Sequence, residues 1–360
     1  MPRAPDRVAG LVLCALLVAA AAPYLAGGIA HAYFAGDDFD LLAAALAAGW
    51  RRIFVLTSRG SYRPMVDLWY AGVYEACGVQ SGCYHVASLA VHLIGVGFVF
   101  GLAQTLFRDW RIAVLGTALF ALEPAYVQAV AWVAAIPDLL GACLFVVTVF
   151  TVAQSWTAAE RRVLLELAAV MLFTAALFAH ESSIVALAIV PVMWYQFGPP
   201  DWRRRPVLLA GGPLAAAAFA LTTFLVYRRS YLFTESHYVF GPHMLRHGAD
   251  YIVDLYVGPA SWFAYAACAV AIGALLAATP LTRFGVLWML ITLTPFLGFK
   301  WANVSRYHYL PAIGFAWAVA AALTAGFDAF ASRFAGRRAV GRVVYLVVAL
   351  FLALRFARFS

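Results

Sequence analysis

The chain has 360 residues, of which 65% are hydrophobic and only 12% are charged, whereas a typical soluble domain is roughly 45–50% apolar and about 25% charged. This composition excludes an ordinary soluble enzyme and indicates a membrane protein, and the continuous, non-alternating apolar runs favour helices over a β-barrel. The net charge of +8 comes from 24 arginines and one lysine. In a membrane protein such an excess orients the chain and binds anionic headgroups, and no nucleic-acid-binding motif accompanies it.

Long apolar runs follow one another along nearly the whole sequence. We take runs close to the ~20 residues that cross a bilayer as predicted membrane helices, and about eleven are present. They lie at residues 9–33, 84–106, 112–124, 137–157, 163–179, 183–198, 207–227, 259–279, 283–299, 309–327 and 342–357. The sequence therefore predicts an all-α, polytopic transmembrane helix bundle, with one membrane domain over residues 1–360 and no soluble domain. The short run at 112–124 either continues through Trp132 or bends at Pro124.

Arginines in the short loops predict how these helices are oriented, because cytoplasmic loops carry the excess of basic residues. The basic loops contain Arg108, Arg111, Arg161, Arg162, Arg203, Arg204, Arg205 and Arg283. The turns near 125–136 and 180–183 contain neither Arg nor Lys. An inside N-terminus follows, with two longer segments outside, at 34–83 and 228–258.

The first outer loop, residues 34–83, contains two short helical patterns. They are Leu41–Trp50 and Pro64–Glu75, and their Trp and Tyr residues suit the headgroup region. We expect both to be juxtamembrane helices. Cys77 and Cys83 are the one close cysteine pair, and a disulfide or two unpaired thiols fit the sequence equally well.

Three carboxylates follow the first apolar run, at Asp37, Asp38 and Asp40. Carboxylates at a bilayer boundary cost desolvation energy unless they have a partner or a role. We interpret Asp37 or Asp38 as the catalytic base that accepts a proton from an acceptor hydroxyl, while its neighbour tunes it or orients the acceptor. The alternative is a set of solvated loop acids, with Asp40 as the N-cap of a helix that begins near Leu41.

Basic side chains on the translocated side form a candidate phosphate-binding group. They are Arg63, Arg228, Arg229, Lys300 and Arg306. The guanidinium of Arg63 is suited to hold a phosphate oxygen or the catalytic acids. For each residue taken singly, contact with lipid headgroups is an equally good interpretation.

Polar residues around the other outer turns are predicted to support this site. They are Glu123, Tyr126, Gln128, Trp132, Asp138, His180 and Glu181. Glu123 is either a second acid near the site or part of a helix end around Pro124, where freed backbone groups need partners. Glu181 is expected to fix Arg63 or Arg306, or to contact a sugar.

Two histidines lie on the predicted second membrane helix. His85 and His92 are seven residues apart and thus share one helical face. Polar groups at membrane depth usually face the bundle interior, so core hydrogen bonds are the predicted role. No set of Cys and His residues has metal-ligand spacing, so neither a metal site nor another cofactor is predicted, and a metal requirement stays open.

These elements together resemble the GT-C glycosyltransferases, and most closely the bacterial relatives of the transmembrane TPR-bearing protein O-mannosyltransferases. The matching elements are Asp37-Asp38, Tyr62-Arg63-Pro64, His85 with His92, Glu123–Val133 with Asp138-Leu139-Leu140, His180-Glu181-Ser182, and Arg306–Phe315. The family pattern has His at 123 and 126, Glu at 128 and Lys at 180. The TPR array is absent from this sequence.

The resemblance implies an inverting membrane glycosyltransferase that takes a sugar from a polyprenyl-phosphate donor and gives it to the hydroxyl of an acceptor. Such an enzyme lies in the bacterial inner membrane and its active site faces the periplasm. The implied partners are the lipid-linked donor, the acceptor and the bilayer, without nucleic acid. Two other functions stay open. One is a transporter or flippase of a lipid-linked or anionic solute, for which paired repeats or broken helices are typical; the other is a catalytically inactive GT-C-like protein.

Overall fold

A computed structural model describes residues 4–48, 62–227, 234–256, 260–301 and 304–333. In chain order the described α-helices are α1 (Ala4–Ala26), α2 (Asp37–Ala48), α3 (Pro64–Cys77), α4 (Ser81–Phe107), α5 (Trp110–Ala121), α6 (Val127–Ala131), α7 (Ile136–Gln154), α8 (Arg162–Ala179), α9 (Ala186–Phe197), α10 (Pro206–Tyr227), α11 (His243–Tyr256), α12 (Trp262–Ala278), α13 (Pro280–Leu293) and α14 (Tyr309–Arg333). Within these residues β-structure is confined to one isolated bridge, between Tyr238 and Phe299. The predicted all-α class is confirmed.

Six of the described helical segments are long and apolar enough to cross a bilayer, and a bent pair would make a seventh. The segments are Val8–Ala26, Ser81–Phe107, Val133–Gln154, Ala159–Ala179, Pro206–Leu225 and Ser305–Phe330. The apolar segments Glu181–Phe197 and Trp262–Ala278 are shorter. Every run predicted before residue 330 contains a described helix, whereas the last run, 342–357, lies outside the described residues. The count of about eleven spans therefore stays a prediction.

The short run that was predicted to continue or to bend does bend. The segments Trp110–Ala121 and Pro124–Ala131 meet at an angle of 44°. The physical cause is Pro124, which lacks an N–H and cannot continue the helical ladder. The Glu123 carboxylate caps the new turn by accepting from the Ala125 amide at 3.2 Å. This contact fits the interpretation in which Glu123 satisfies a helix end, and its role as a second acid near the site stays a prediction.

The centre of the bundle is close-packed. Trp288 of α13 and Trp317 of α14 are fully buried, with ring centroids 5.0 Å apart. The two helices approach closely because both have glycine at the contact: a Cβ on Gly285 would lie 2.5 Å from the Gly314 carbonyl oxygen. Small residues that allow close backbone approach are typical of packed membrane helices.

The described part of the predicted first outer loop contains two short helices, α2 and α3, as expected. Helix α2 begins at Asp37, earlier than the expected start near Leu41, so Asp40 lies inside its first turn rather than at its N-cap. Helix α3 ends at Cys77, and a disulfide joins Cys77 to Cys83 at the start of α4. The second long outer segment contains the described helix α11, while residues 228–233 and 257–259 lie outside the described part.

Candidate functional site

One end of the bundle collects polar side chains from segments far apart in the sequence. They come from the first turn of α2, the Arg63 that precedes α3, the turn between α6 and α7, the turn between α8 and α9, and the segment before α14. All five segments were predicted to lie on the outer side. The opposite end carries the arginines of the predicted inner loops, such as Arg111, which pairs with Asp328 at 2.7 Å.

The adjacent carboxylates of α2 have different surroundings. Asp38 is 1% exposed, and its two oxygens accept from the backbone amides of Ala35 at 2.9 Å and Ala134 at 2.6 Å. Burial raises the pKa of Asp38, against these two hydrogen bonds, which lower it. Asp37 is exposed on the same helical turn. Asp38 thus anchors the start of α2, while Asp37 faces the solvent.

Trp132 and Arg306 connect this turn to the rest of the site. The Trp132 indole N–H donates to the carbonyl of Ala35 at 3.3 Å. The Arg306 guanidinium lies over the Trp132 ring at 5.1 Å, and its Nε is 3.2 Å from Oδ2 of Asp138. Side chains of α7 and of the segment before α14 therefore meet beside the first outer loop.

His180 extends the network to the turn between α8 and α9. Its Nε2 lies 3.4 Å from Oδ1 of Asp138, and its Nδ1 accepts from the Ser182 amide at 3.2 Å. Burial lowers the pKa of His180. Because Nδ1 accepts from the Ser182 amide, a neutral ring has its proton on Nε2, the nitrogen that faces Asp138. Gly141 of α7 makes this approach possible, since a Cβ there would lie 2.6 Å from Cβ of His180.

Arg63 and Glu181 form a two-pronged ion pair. Nε and Nη2 of Arg63 donate to the two carboxylate oxygens of Glu181 at 3.1 and 2.6 Å. Burial acts to raise the pKa of Glu181, but the Arg63 guanidinium outweighs it and holds that pKa well below its usual range. Of the two predicted partners for Glu181, the structure selects Arg63.

An apolar cavity of about 790 Å³ opens beside this ion pair. His180 and Glu181 lie at its polar end. Its apolar lining includes Phe219, Phe224, Phe240, Met244, Phe296 and Phe299. Phe224 and Phe240 are 66% and 76% exposed, so the cavity opens toward the space that lipid occupies.

The remaining predicted residues lie near the site or inside the bundle. Gln128 accepts from the Ser305 hydroxyl at 3.1 Å, next to Arg306. Tyr126 is fully buried and donates to the carbonyl of Phe120. Tyr126 therefore packs in the core beneath this end of the bundle, and its supporting role stays a prediction.

Both histidines of α4 are buried and bonded, as their shared face predicted. His85 is 3.3 Å from the carbonyl oxygen of Tyr33, close to the α2 turn. His92 is 2.9 Å from the hydroxyl of Tyr309, inside a cluster of aromatic rings. Only His85 is thus near the candidate site.

The predicted cations separate into two groups. Arg63 and Arg306 lie in the polar network, whereas Lys300 is exposed. The predicted Arg228 and Arg229 lie outside the described residues. Among the residues that are described, no group of three or more His, Cys, Asp or Glu side chains gathers in a way that could hold a metal ion.

Sequence reasoning missed two kinds of participant. Ala134 contributes only its backbone amide to Asp38, and a backbone contact leaves no mark on residue type. The apolar lining of the cavity, such as Phe219 and Met244, has the same composition as any lipid-facing surface. No signal in a single sequence separates these residues from the rest of the apolar surface.

Comparison with known proteins gives one sequence relative and one structural relative, while no protein-family model matches. Over 133 residues, 37% of this chain, the sequence is 32% identical to the protein O-mannosyl-transferase Tmtc1 of Drosophila melanogaster, 15% of which is covered. The crystal structure of ArnT from Cupriavidus metallidurans bound to undecaprenyl phosphate matches with a TM-score of 0.54 and 15% identity. That match covers 88% of this chain and 60% of ArnT.

The chain spans only part of the length of both relatives, and the likeness to ArnT at 15% identity establishes the fold. The predicted resemblance to GT-C proteins is thereby confirmed at the level of fold. The chain is an integral membrane protein with the fold of the GT-C glycosyltransferases.

Proposed function

We propose that the protein is a glycosyltransferase that moves a sugar from a polyprenyl-phosphate donor to an acceptor hydroxyl, with inversion at the sugar carbon. One observation carries this proposal: a first-loop carboxylate and two guanidinium groups from distant segments converge beside a large apolar cavity. The O-mannosyl transfer for which Tmtc1 is named and the lipid bound to ArnT point to the same chemistry. We place the site on the periplasmic side of a bacterial inner membrane, because the arginine-rich loops lie at the opposite end.

Asp37 is the proposed general base. It is exposed on the turn that Asp38 anchors, so an acceptor can reach it from outside the membrane. Its carboxylate takes the proton of the acceptor hydroxyl while that oxygen forms a bond to the anomeric carbon of the sugar. Attack comes from the face opposite the phosphate, which inverts the configuration.

Arg63 and Arg306 are the proposed stabilisers of the leaving group. As the bond from the anomeric carbon to the phosphate oxygen breaks, the electron pair leaves with the polyprenyl phosphate, whose charge increases. A guanidinium presents its N–H donors in a planar fork that matches phosphate oxygens as well as carboxylate oxygens. In the proposed complex Glu181 and Asp138 orient the two arginines, and the phosphate oxygens bind to the same guanidinium groups.

The apolar cavity is the proposed place for the start of the polyprenyl chain. The cavity begins at Glu181, which holds the guanidinium group of Arg63, and continues between phenylalanine side chains toward the lipid. With its phosphate at Arg63, a polyprenyl phosphate would have its hydrocarbon chain in the apolar cavity. The charged phosphate would stay outside that cavity and would not have to be desolvated there.

The test is transfer by the purified protein, in detergent or in vesicles, from polyprenyl-phosphate sugars to hydroxyl-bearing acceptors. Donor consumption and sugar incorporation are followed for the wild type, Asp37→Asn and Asp38→Asn. General-base catalysis contributes about 10²–10⁴-fold. We therefore expect Asp37→Asn to lose at least about a hundredfold in kcat/KM.

Asp40→Asn is the matched control, because Asp40 is an exposed carboxylate in the same helical turn. Its rate should stay close to that of the wild type. Normal transfer by Asp37→Asn would remove the assignment of Asp37 as the base, and normal transfer by Asp38→Asn as well would remove the acidic pair from the mechanism. Vesicles that accumulate an anionic solute or flip the lipid without any transfer would instead favour the transporter.

A further inference from the structure

A second cavity lies at the opposite end of the bundle, away from the sugar-transfer site. It encloses about 500 Å³ between α8, α9 and α10. Leu187 and Leu209 in its lining are 41% and 47% exposed. The cavity therefore opens sideways, toward the space that lipid acyl chains occupy.

A buried arginine closes the polar end of this cavity. Arg205 is 3% exposed, and its Nη1 donates to Glu166 at 3.1 Å and to the carbonyl of Ser155 at 3.1 Å. Its Nη2 is 3.3 Å from an oxygen of Asp201, and its guanidinium lies over the Trp194 ring at 5.1 Å. Arg205 is thus held by Glu166, Asp201 and Trp194 and forms the floor at the polar end of the cavity.

Exposed cations lie in the chain between Trp202 and Arg205, which both line the cavity. Trp202–Arg204 forms one helical turn directly before Arg205, and the side chains of Arg203 and Arg204 are exposed. Arg203 lies over the Trp202 ring at 5.2 Å, and Trp202 is 46% exposed. An aromatic ring next to exposed arginines at a helix end is typical of the headgroup level of a membrane.

We propose that this cavity binds one anionic glycerophospholipid from the leaflet opposite the sugar-transfer site. One acyl chain fills the space between α8, α9 and α10, and the phosphate lies against Arg203 and Arg204. Charge complementarity selects this occupant, because basic pockets between membrane helices bind anionic headgroups. The site is independent of the proposed transfer reaction.

The test is native mass spectrometry of the purified full chain, titrated with phosphatidylglycerol or with phosphatidylcholine of identical acyl chains. We expect one phosphatidylglycerol to bind more tightly than phosphatidylcholine. Near a membrane surface each arginine contributes about a fivefold gain in affinity for an anionic lipid. Arg203→Gln and Arg204→Gln should each lose about that factor for phosphatidylglycerol and little for phosphatidylcholine.

Two further variants test the position of the site. Gly212 lines the cavity, and a Cβ there would meet only Leu187, at 3.6 Å. Gly212→Leu should therefore fill the space and reduce the binding of both lipids. Arg108→Gln is the matched control, since Arg108 is an exposed arginine at the same end of the bundle but follows α4 and is not adjacent in the chain to the cavity-lining Trp202 and Arg205.

Four outcomes would overturn the proposal. Equal binding of the two lipids, or binding that Arg203→Gln and Arg204→Gln leave unchanged, would remove recognition of the anionic headgroup. An equal loss of phosphatidylglycerol affinity in Arg108→Gln would mean that the lipid responds to the general positive charge of this end of the bundle and not to Arg203 and Arg204. Tighter binding of undecaprenyl phosphate than of phosphatidylglycerol, with the same arginine dependence, would replace the phospholipid by a polyprenyl carrier. The arginine variants keep the test valid even where Gly212→Leu fails to fold.

Discussion

Asp37 and Asp38 are adjacent, yet helical geometry gives them different tasks. Side chains one position apart point about 100° away from each other around a helix, so one can be buried while the other faces water. Asp38 uses both oxygens on backbone amides of two different segments. A change at Asp38 therefore acts through the position of α2, whereas in the proposed reaction a change at Asp37 acts on the proton transfer itself.

The pH dependence of transfer should reflect Asp38. Burial raises the pKa of Asp38, so on acidification this carboxyl takes up its proton at a higher pH than an ordinary Asp would. Protonation removes an acceptor from one of the two amides that hold the turn. We expect the acid limb of kcat/KM to lie above pH 3.8, the ordinary value for Asp. Asp38→Asn, which cannot titrate, should lose this inflection, and an unchanged inflection would contradict the assignment.

The Arg63–Glu181 pair gives a second pH prediction, for stability. The pKa of Glu181 is lowered in the folded protein, so the pair's contribution is complete above pH 4.5, the ordinary value, and disappears as pH falls through the lowered value. Glu181→Gln should lower the free energy of unfolding by about 1–3 kcal/mol at neutral pH. Both side chains keep about a quarter of their surface exposed, which favours the lower end of that range.

Thermal unfolding in detergent from pH 8 to pH 4 measures this difference between the wild type and Glu181→Gln. The loss of stability in Glu181→Gln, relative to the wild type, should stay constant down to pH 4.5 and become smaller only below that pH. A deficit that already disappears between pH 7 and pH 5 would show that Glu181 is not held in the ionised state by Arg63. Glu235→Gln is a suitable control, because Glu235 is 63% exposed and pairs with the half-exposed His237.

At the scale of elements, the site depends on how closely α7 approaches the turn after α8. Gly141→Ala would put a Cβ 2.6 Å from Cβ of His180, a contact that forces one segment to move. Because His180 and Asp138 hold Arg306, we expect a loss of transfer together with a destabilisation of about 1–3 kcal/mol. The measurement is the unfolding temperature and kcat/KM of the same preparation.

Gly97→Ala is the control for this prediction. Gly97 lies in α4, and a Cβ there meets nothing within 4 Å. The change should alter stability by less than about 1 kcal/mol and leave transfer intact. Equal effects at Gly141 and Gly97 would mean that the packing of His180 on α7 does not position the site.

The sequence predicts elements better than their contacts. Apolar runs predicted the membrane helices, and the aromatic, proline-led segment at Pro64 predicted α3, because these signals are local. Arg63 and Glu181 are 118 positions apart in the sequence. The sequence alone left Arg63 and Arg306 as equally good partners for Glu181, and only the packing of the helices shows that Arg63 is the partner. The start of α2 was also missed, because Asp38 can lie buried in the helix only when the Ala134 amide donates to its carboxylate.

At the scale of the whole molecule, the two ends of the bundle differ in chemistry. One end pairs carboxylates with guanidinium groups around a first-loop turn, and the other exposes arginines such as Arg108 and Arg203. The Cys77–Cys83 disulfide joins the end of α3 to the start of α4, at the same end of the bundle as the network. Since disulfides persist in oxidising compartments, the bond and the arginine bias both favour an outer location for the network.

This orientation predicts which residues react from outside an intact cell. Ala35→Cys and Arg108→Cys are introduced into a chain whose free cysteines, Cys14, Cys143 and Cys268, are replaced by alanine, while the disulfide is kept. Ala35 and Arg108 are exposed at opposite ends of the bundle. A membrane-impermeant maleimide should label Ala35→Cys in intact cells and Arg108→Cys only after the membrane is opened. Because lipid-linked sugar donors and their acceptors must meet at one membrane face, the reverse pattern would move the proposed reaction to the cytoplasmic side, and labelling of both positions from one side would contradict the opposite placement of the two ends.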